Sequence, residues 1–389
     1  MLNAAFEPWP SFTQAEADAV SKVLLSNKVN YWTGQECREF EKEFAQFAGT
    51  KYAVAVSNGT VALDLALKAL GIGQGDDVIV TSRTFLASAS SIVTAGANPV
   101  FADVEFDSQN ISRRTIEAVL TPNTKAIICV HLAGWMCDMD PIMQLAKEKG
   151  LWVIEDCAQA HGAQYKGRSA GSIGHIGAWS FCQDKIMTTG GEGGMVTTHD
   201  EHLWKKMWSY KDHGKNFDSV YNTQHPPGFR WLHDSFGTNW RMMEMQAVIG
   251  RLQLKKMPEW TKKRNENMQR ILHAFEGSPF IQVVKPSSDY VHAAYKCYVQ
   301  VNQNALPEAW SRDRIMNEIT TLGVPCFSGS CSEVYLEKAF DHTHWRPQER
   351  LKDAQHLGET SLMFLVHPTL SESSLNKTIA AIKQVLSQI

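Results

Sequence analysis

A lysine near the middle of the chain lies in an unusual setting. Lys185 follows the apolar residues 178–182 and precedes the glycine-rich residues 190–194. Lysine side chains usually lie on solvated surfaces. A lysine that loses its solvent has a lowered pKa, which makes its amine a nucleophile toward carbonyl groups. Taken alone, an ordinary surface lysine is still the simpler interpretation.

A carboxylate is predicted at the end of an apolar strand. Asp156 closes residues 152–156, and Gln159 follows on the next turn. Ligands bind outside the carboxyl ends of strands in open α/β sheets, so Asp156 could hold a protonated pyridine nitrogen, a metal ion or a ribose. Capping of the next turn is the simpler role that the same position allows.

A short turn between a predicted strand and a predicted helix could bind an anion. It reads Ser57-Asn58-Gly59-Thr60. Free backbone N–H groups at a helix start attract anions, and glycine lets a ligand approach closely. A simple helix cap explains the same residues. Ser180, five residues before Lys185, is close enough in sequence to share such an anion site.

An anion-binding turn, a carboxylate at a strand end and a lysine, in this order along the chain, match the needs of one cofactor. Pyridoxal phosphate needs a phosphate cradle, an acidic partner for its ring nitrogen and a lysine for a Schiff base. The glycine-rich residues 190–194 are no nucleotide-binding P-loop, since no G-K-[ST] follows. A nicotinamide dehydrogenase is disfavoured because no G-x-G-x-x-G follows the first strand.

Strands and helices that alternate along the chain must position these groups. We predict strands at residues 52–56, 77–80, 99–103, 126–130, 152–156 and 195–198, with helices at residues 61–70, 86–95 and 140–149. Such an alternation predicts an α/β fold with a mostly parallel mixed sheet covered by helices on both faces.

The second part of the chain predicts a smaller α+β unit. We expect a large domain at residues 1–255 and a small domain at residues 256–389, although the first 25 or so residues could pack on the small domain. The small domain should contain a strand at residues 295–301 and helices at residues 308–322 and 371–386.

Composition excludes several classes of function. The 389-residue chain is 43% hydrophobic and has a formal net charge of -3, which gives no electrostatic case for nucleic acid or an anionic membrane. We expect no signal peptide and no membrane helix.

The eight cysteines contain no C-x-x-C pair. We therefore predict free thiols, a cytoplasmic location and no metal site.

Several motifs in the same order resemble a known family. They include SNGTVALDLALKALGIGQGDDVIV, TFLASASSIVTAGANPVFADV, VIEDCAQAHGAQYKGRSAGSIGHIGAWSFCQDKIMTTGGEGGMVTT and GTNWRMMEMQAVIGRLQL. From about Tyr31 to the C-terminus the chain is similar to the nucleotide-sugar aminotransferases of the DegT/StrS group. These enzymes belong to the aspartate-aminotransferase-like type I fold of pyridoxal-phosphate enzymes.

The resemblance implies a role for each matching residue. Lys185 would form the Schiff base and also act as general acid and base, and Asp156 would pair with the pyridine nitrogen. The other implied cofactor contacts are Gln159 at the ring hydroxyl, Gly59, Thr60 and Ser180 at the phosphate, Phe85 stacked on the ring, and Asn239, which reaches the phosphate of the neighbouring subunit. The last role implies a homodimer with shared active sites.

The resemblance also implies a reaction. L-glutamate would donate its amino group to a nucleotide-linked keto sugar, for surface polysaccharide such as lipopolysaccharide O-antigen or for other amino-sugar glycans. A dTDP-linked 4-keto-6-deoxyhexose aminated at C4 is the first expectation, with UDP- and GDP-linked sugars and C3 amination as competitors. Sugar dehydration or aldolase-type cleavage on the same fold would be a different enzymatic function, and a non-enzymatic regulator would be a different class of protein. Some relatives that dehydrate sugars carry histidine at the position of Lys185.

Two loops differ most from the relatives and should shape the sugar pocket, at residues 210–235 and 325–336. Many relatives carry a His-Tyr pair in the segment after Gly323, and this chain does not. We expect the sugar or its diphosphate to contact basic or aromatic groups near the mouth of the site. The candidates are Lys211, His213, Arg230 and Tyr335.

Overall fold

A computed structural model describes residues 6–389. Its helices are α1 (Gln14–Leu25), α2 (Glu36–Ala48), α3 (Gly59–Ala69), α4 (Ala87–Thr94), α5 (Arg113–Glu117), α6 (Met139–Lys149), α7 (Glu201–Tyr210), α8 (Phe217–Tyr221), α9 (Glu244–Leu254), α10 (Met257–His273), α11 (Arg312–Thr321), α12 (Lys352–Thr360) and α13 (Glu372–Leu386). Its strands are β1 (Tyr52–Val56), β2 (Asp77–Thr81), β3 (Asn98–Ala102), β4 (Thr124–Val130), β5 (Trp152–Asp156), β6 (Gln164–Tyr165), β7 (Arg168–Ser169), β8 (Ile176–Ser180), β9 (Gly194–Thr198), β10 (Ile281–Gln282), β11 (Tyr290–Val291), β12 (Cys297–Val301), β13 (Cys326–Phe327) and β14 (Ser361–Phe364).

The large sheet has its strands in the order β1-β9-β8-β5-β4-β2-β3. The strands from β8 to β3 pair in parallel, and β9 runs antiparallel to both β1 and β8. Apolar clusters cover both faces of the sheet. Burial on both faces explains why strands such as β4 read as unbroken apolar runs. The predicted α/β class with a mostly parallel mixed sheet is confirmed.

The small sheet is antiparallel, with the order β10-β12-β14-β13. Together with α10, α11 and α13 it encloses a third apolar core. Helix α10 joins the two units, because Met257 at its start packs in the large-sheet core whereas Ile271 near its end packs in the small-sheet core. The predicted boundary at residue 255 lies in the turn between α9 and α10.

The N-terminal residues contact both units. Phe6 packs against the small-sheet core, whereas α1 packs against α9. Between them Trp9 contacts Trp260 of α10 edge-on, with ring centroids 5.1 Å apart. The predictions for residues 1–5 lie outside the described residues.

Two predicted elements are shorter in the structure than in the prediction. The helix expected at residues 308–322 begins only at Arg312, because the hydroxyl of Ser311 caps it by accepting the Arg314 N–H. The strand expected from residue 295 begins at Cys297, because the Tyr295 N–H bonds instead to the carbonyl oxygen of Ala133 in the large unit. Across residues 6–389, the helices are all too short or too polar to cross a bilayer.

Candidate active site

A cleft of about 1200 Å³ opens at the carboxyl ends of the large-sheet strands, against the small unit. It brings together many of the residues that the sequence singled out. Those lining it are Gly59, Thr60, Phe85, Asp156, Gln159, Ser180 and Lys185. The small unit contributes the opposite wall, with Lys296, Tyr298 and Met363 among its residues.

The start of α3 forms one end of the cleft. The side-chain oxygen of Asn58 caps the helix by accepting the Val61 N–H at 2.9 Å. Within residues 6–389 the N–H groups of Gly59 and Thr60 have no protein acceptor, which leaves them free for an anion. A Cβ on Gly59 would lie 2.5 Å from the Ser180 Cβ, so only glycine lets the serine hydroxyl lie beside these N–H groups.

The carboxylate of Asp156 is held at the end of β5. Its Oδ2 accepts a hydrogen bond from the Ser88 hydroxyl at 2.8 Å, and its Oδ1 accepts the Ala158 N–H at 3.1 Å. The Ser88 hydroxyl has a single proton, so Thr84, 2.8 Å away, must donate to it. This chain of donors fixes a nearly buried acceptor in one orientation toward the cleft.

A buried pair lies behind Asp156. Glu155 bonds to His131 Nε2 at 2.8 Å and accepts the N–H groups of Gly171 and Gly174. Burial raises the pKa of Glu155, but the bonds from His131 and these backbone groups outweigh it and bring the pKa below its usual value. Because His131 Nδ1 accepts the Cys137 N–H, both ring nitrogens are taken. Cys157 lies close enough to His131 and Glu155 to form a set of three possible metal ligands with them. The hydrogen bonds described above already use the ligand atoms of His131 and Glu155.

Gln159 and Phe85 present complementary surfaces to the cleft. The side-chain oxygen of Gln159 accepts the Ala133 N–H at 2.7 Å. In the described part of the chain its amide nitrogen has no acceptor, so it can donate toward a ligand. The Phe85 ring is 71% exposed although it is large and apolar, and it lines the same cleft. A flat aromatic ligand could stack on it.

Lys185 is held from two sides. The Trp9 indole N–H donates to its backbone carbonyl oxygen at 2.8 Å. Its ammonium group lies 5.5 Å from the centre of the Tyr295 ring, whose hydroxyl donates to Asp184 Oδ2 at 2.5 Å. Burial raises the pKa of Asp184, but Lys185 and the Tyr295 hydroxyl outweigh it and lower the pKa overall.

The structure places two of the expected sugar contacts away from the cleft. Lys211, expected near the mouth, is fully buried, with its ammonium group 3.3 Å from the centre of the Tyr31 ring and 4.0 Å from Glu41. Burial lowers the pKa of Lys211. Tyr335 is also buried, because its ring packs against Phe101 in the apolar core, and its hydroxyl donates to Glu333 at 2.5 Å. These two expectations of an accessible position were wrong.

The other expected contacts are exposed but do not line the cleft of their own chain. His213 and Arg230 lie on the surface, and so does Asn239. Asn239 precedes Trp240, whose side chain does line the cleft and whose carbonyl oxygen accepts the Ser57 N–H. The two neighbours therefore differ, with Trp240 on this cleft and Asn239 outside it.

The sequence interpretation missed several residues of the cleft and its support. Ser88, Tyr295 and Lys296 line it, and Trp9 contacts Lys185 from outside. Only Lys296 carried a signal, a lysine within the mostly apolar stretch predicted as a strand. The contacts of Trp9 and Tyr295 join residues that are more than 100 positions apart, and no local pattern reports them.

These residues fit pyridoxal phosphate. The α3 start offers free N–H groups and a serine hydroxyl for the phosphate. Asp156 offers a fixed carboxylate for a ring nitrogen, and Lys185 supplies an amine in the same cleft. The fit rests on the Gly59–Ser180 approach, which an alanine at residue 59 would not allow.

Comparison with known proteins places the chain in a family. Residues 10–383 match the DegT/DnrJ/EryC1/StrS aminotransferase family. A GDP-perosamine synthase from Caulobacter vibrioides is 37% identical over 359 residues, which cover 90% of this chain and 89% of that protein. A dTDP-3-amino-3,4,6-trideoxy-alpha-D-glucose transaminase from Streptomyces venezuelae is 31% identical over 385 residues, covering 98% and 94%.

A solved structure agrees along nearly the whole length of the chain. The aminotransferase from Psychrobacter cryohalolentis superimposes with a TM-score of 0.98 at 66% identity, and the match covers 99% of each chain. The fold is thus that of the pyridoxal-phosphate-dependent aminotransferases. With the family match over residues 10–383, the chain belongs to the DegT/DnrJ/EryC1/StrS aminotransferases, enzymes that use pyridoxal phosphate.

Proposed function

We propose that this enzyme transfers the amino group of L-glutamate to a keto sugar linked to a nucleotide, for the synthesis of surface polysaccharide or other amino-sugar glycans. The observation that carries the proposal is the placement of Lys185, Asp156 and the α3 anion site in one cleft. The names of the relatives from Caulobacter and Streptomyces support the substrate class, because both denote enzymes of nucleotide-linked amino sugars.

Residues of the large unit would hold the cofactor. The α3 start and Ser180 bind its phosphate, Asp156 binds its ring nitrogen, and the amide of Gln159 donates to its ring hydroxyl. When bound, pyridoxal phosphate supplies an electron-accepting ring that carries the amino group from one substrate to the other. Asp156 keeps the ring nitrogen protonated, because its negative charge favours the pyridinium form.

Lys185 would move the proton in both halves of the reaction. Its amine would take the proton from the carbon that bears the amino group of the donor and would deliver it to the carbon of the cofactor that carried the carbonyl group. The Tyr295 ring beside its ammonium group limits where the side chain can swing. With the keto sugar, the same amine moves the proton in the opposite direction.

The family resemblance also supports a proposal for the position of amination and for the nucleotide of the sugar substrate. We propose amination at C4 of a 4-keto-6-deoxyhexose, with thymidine diphosphate as the first nucleotide to test. The nucleotides in the names of the two relatives are GDP and dTDP. A panel that joins both nucleotides and UDP to 3-keto and 4-keto sugars, with glutamate as donor, tests the proposal. An amino group at C4 in the product supports it, whereas amination at C3, dehydration or no reaction contradicts it.

A homodimer with shared sites is part of the same proposal. Asn239 lies on the surface beside a segment whose large apolar side chains are exposed, with Phe229 at 80%, Trp231 at 85% and Phe236 at 99%. Exposed apolar residues in one segment favour burial against a partner. In a second copy, Asn239 would complete the phosphate site.

The eight cysteines, all within the described residues and unpaired, support a cytoplasmic enzyme.

A further inference from the structure

The cleft holds few positive charges for the substrates that it must bind. Among the described residues that line it, Lys185 and Lys296 are the only cations, and there is no arginine or histidine. Glutamate brings two carboxylates, and a nucleotide-linked sugar brings a diphosphate. Lys185 loses its free ammonium group when it joins the cofactor, which leaves Lys296 as this chain's remaining cation in the cleft.

Lys296 lies close to the reactive lysine. Its ammonium group is 4.9 Å from the centre of the Tyr295 ring, the same ring that Lys185 approaches at 5.5 Å. In the described part of the chain no carboxylate oxygen lies within 4.0 Å of it, although such pairs are found for many other lysines. The nearby Asp184 already accepts the Tyr295 hydroxyl.

The surroundings of Lys296 favour an incoming anion. The pKa of Lys296 is lowered to about 8, chiefly by burial; Asp184 raises it, whereas the cations Arg264 and Lys185 add to the lowering. Arg264 is itself buried, and its Nε and Nη2 atoms have no hydrogen-bond partner among residues 6–389. A carboxylate placed against Lys296 would offset this excess of positive charge.

We propose that Lys296 binds a carboxylate of the amino donor and thereby restricts the donor to amino acids. The inference rests on the proposed function. The donor carries a carboxylate on the carbon that loses the amino group, so a cation beside Lys185 reaches it directly. A keto sugar has no charge at its reacting carbon, and its diphosphate lies at the far end of the molecule. Lys296 therefore discriminates between the two substrates that share the cleft.

Separate half-reactions of the holoenzyme test the assignment. We would compare the wild type with Lys296→Met, Lys296→Arg and the control Lys262→Met, which removes a lysine whose side chain is 80% exposed. Loss of a charged hydrogen bond predicts a roughly 10- to 100-fold higher glutamate concentration for the half-maximal rate in Lys296→Met. Lys296→Arg should stay within about fivefold of the wild type, since it keeps the charge.

Two further readouts separate the possible outcomes. Calorimetric titration with glutarate, a dicarboxylate that cannot react, should show weaker binding to Lys296→Met by a similar factor. The reaction of the aminated holoenzyme with the keto sugar should be unchanged. Unchanged glutamate and glutarate binding in a folded Lys296→Met variant would overturn the inference, and so would a loss confined to the sugar half-reaction. A wild type that binds glutarate but aminates no sugar would instead contradict the proposed function.

Discussion

The indole N–H of Trp9 donates a hydrogen bond to the backbone carbonyl oxygen of Lys185, with 2.8 Å between nitrogen and oxygen. The same indole ring lies 4.7 Å from the guanidinium carbon of the buried Arg264 and stacks on His367. One residue of the N-terminal segment thus joins the reactive lysine to the connecting helix α10 and to the small unit.

Replacement of Trp9 by phenylalanine should weaken the support of Lys185. The ring is kept, but the N–H donor is lost, so we expect a loss of about 1 kcal/mol in the free energy of unfolding. The catalytic rate should fall several-fold, because the Lys185 backbone is less well fixed. Urea denaturation and kcat measure the two effects. Trp260→Phe, a neighbour without this bond, should keep its kcat; an equal loss in both variants would refute the role of Trp9.

Gly59→Ala should damage the phosphate site. The new methyl group would lie 2.5 Å from the Ser180 Cβ and 2.8 Å from its hydroxyl oxygen, so the α3 start must move away. We expect the Kd for pyridoxal phosphate to rise at least about 10-fold, since charged hydrogen bonds to the phosphate are lost. Fluorescence titration of the apoenzyme measures it. Gly73→Ala is the matched control, because its methyl group meets nothing closer than 3.7 Å. Unchanged affinity in Gly59→Ala would contradict the placement of the phosphate.

Asp156→Asn should keep the fold and lose most activity. A neutral amide no longer favours the pyridinium ring, and we expect kcat to fall roughly 100-fold or more. Ser88→Ala leaves the Asp156 charge in place but removes the hydroxyl that donates to it and accepts from Thr84, and it should cost about 10-fold. Steady-state kinetics with thermal denaturation as a folding check measures both. A Ser88→Ala loss larger than that of Asp156→Asn would argue against this order of roles.

Glutamate binding should weaken at alkaline pH. The pKa of Lys296 is lowered to about 8, chiefly by burial. Its charge is present below that pH and is lost as the pH rises through it, so KM for glutamate should increase above about pH 8. Lys296→Arg stays charged and should move the increase to higher pH. Identical pH profiles of KM for the wild type and Lys296→Arg would speak against Lys296 as the titrating group.

Local patterns predicted the elements of the large sheet well. The strands β1 and β5 have the bounds predicted from the apolar runs at residues 52–56 and 152–156. The antiparallel direction of β9 was not predictable, because strand direction depends on pairing partners that are distant in sequence.

The place of a residue in the cleft was predictable where its own neighbours in sequence determine its position. Asp156 at a strand end and Gly59 at a helix start are of this kind. Lys211 was misplaced because its burial depends on Tyr31 and Glu41, which lie far from it in sequence. The same distance hid Trp9 as a neighbour of Lys185.

The most direct test of the proposed transfer follows nitrogen from donor to sugar. The holoenzyme would be mixed with ¹⁵N-labelled glutamate and a nucleotide-linked 4-keto-6-deoxyhexose, and the product would be examined by NMR and mass spectrometry. Lys185→Ala would serve as the comparison. We predict ¹⁵N at C4 of the sugar with the wild type and at least a roughly 1000-fold slower transfer with Lys185→Ala. Transfer by Lys185→Ala at a rate near the wild type, or a sugar product without ¹⁵N, would contradict the proposed function.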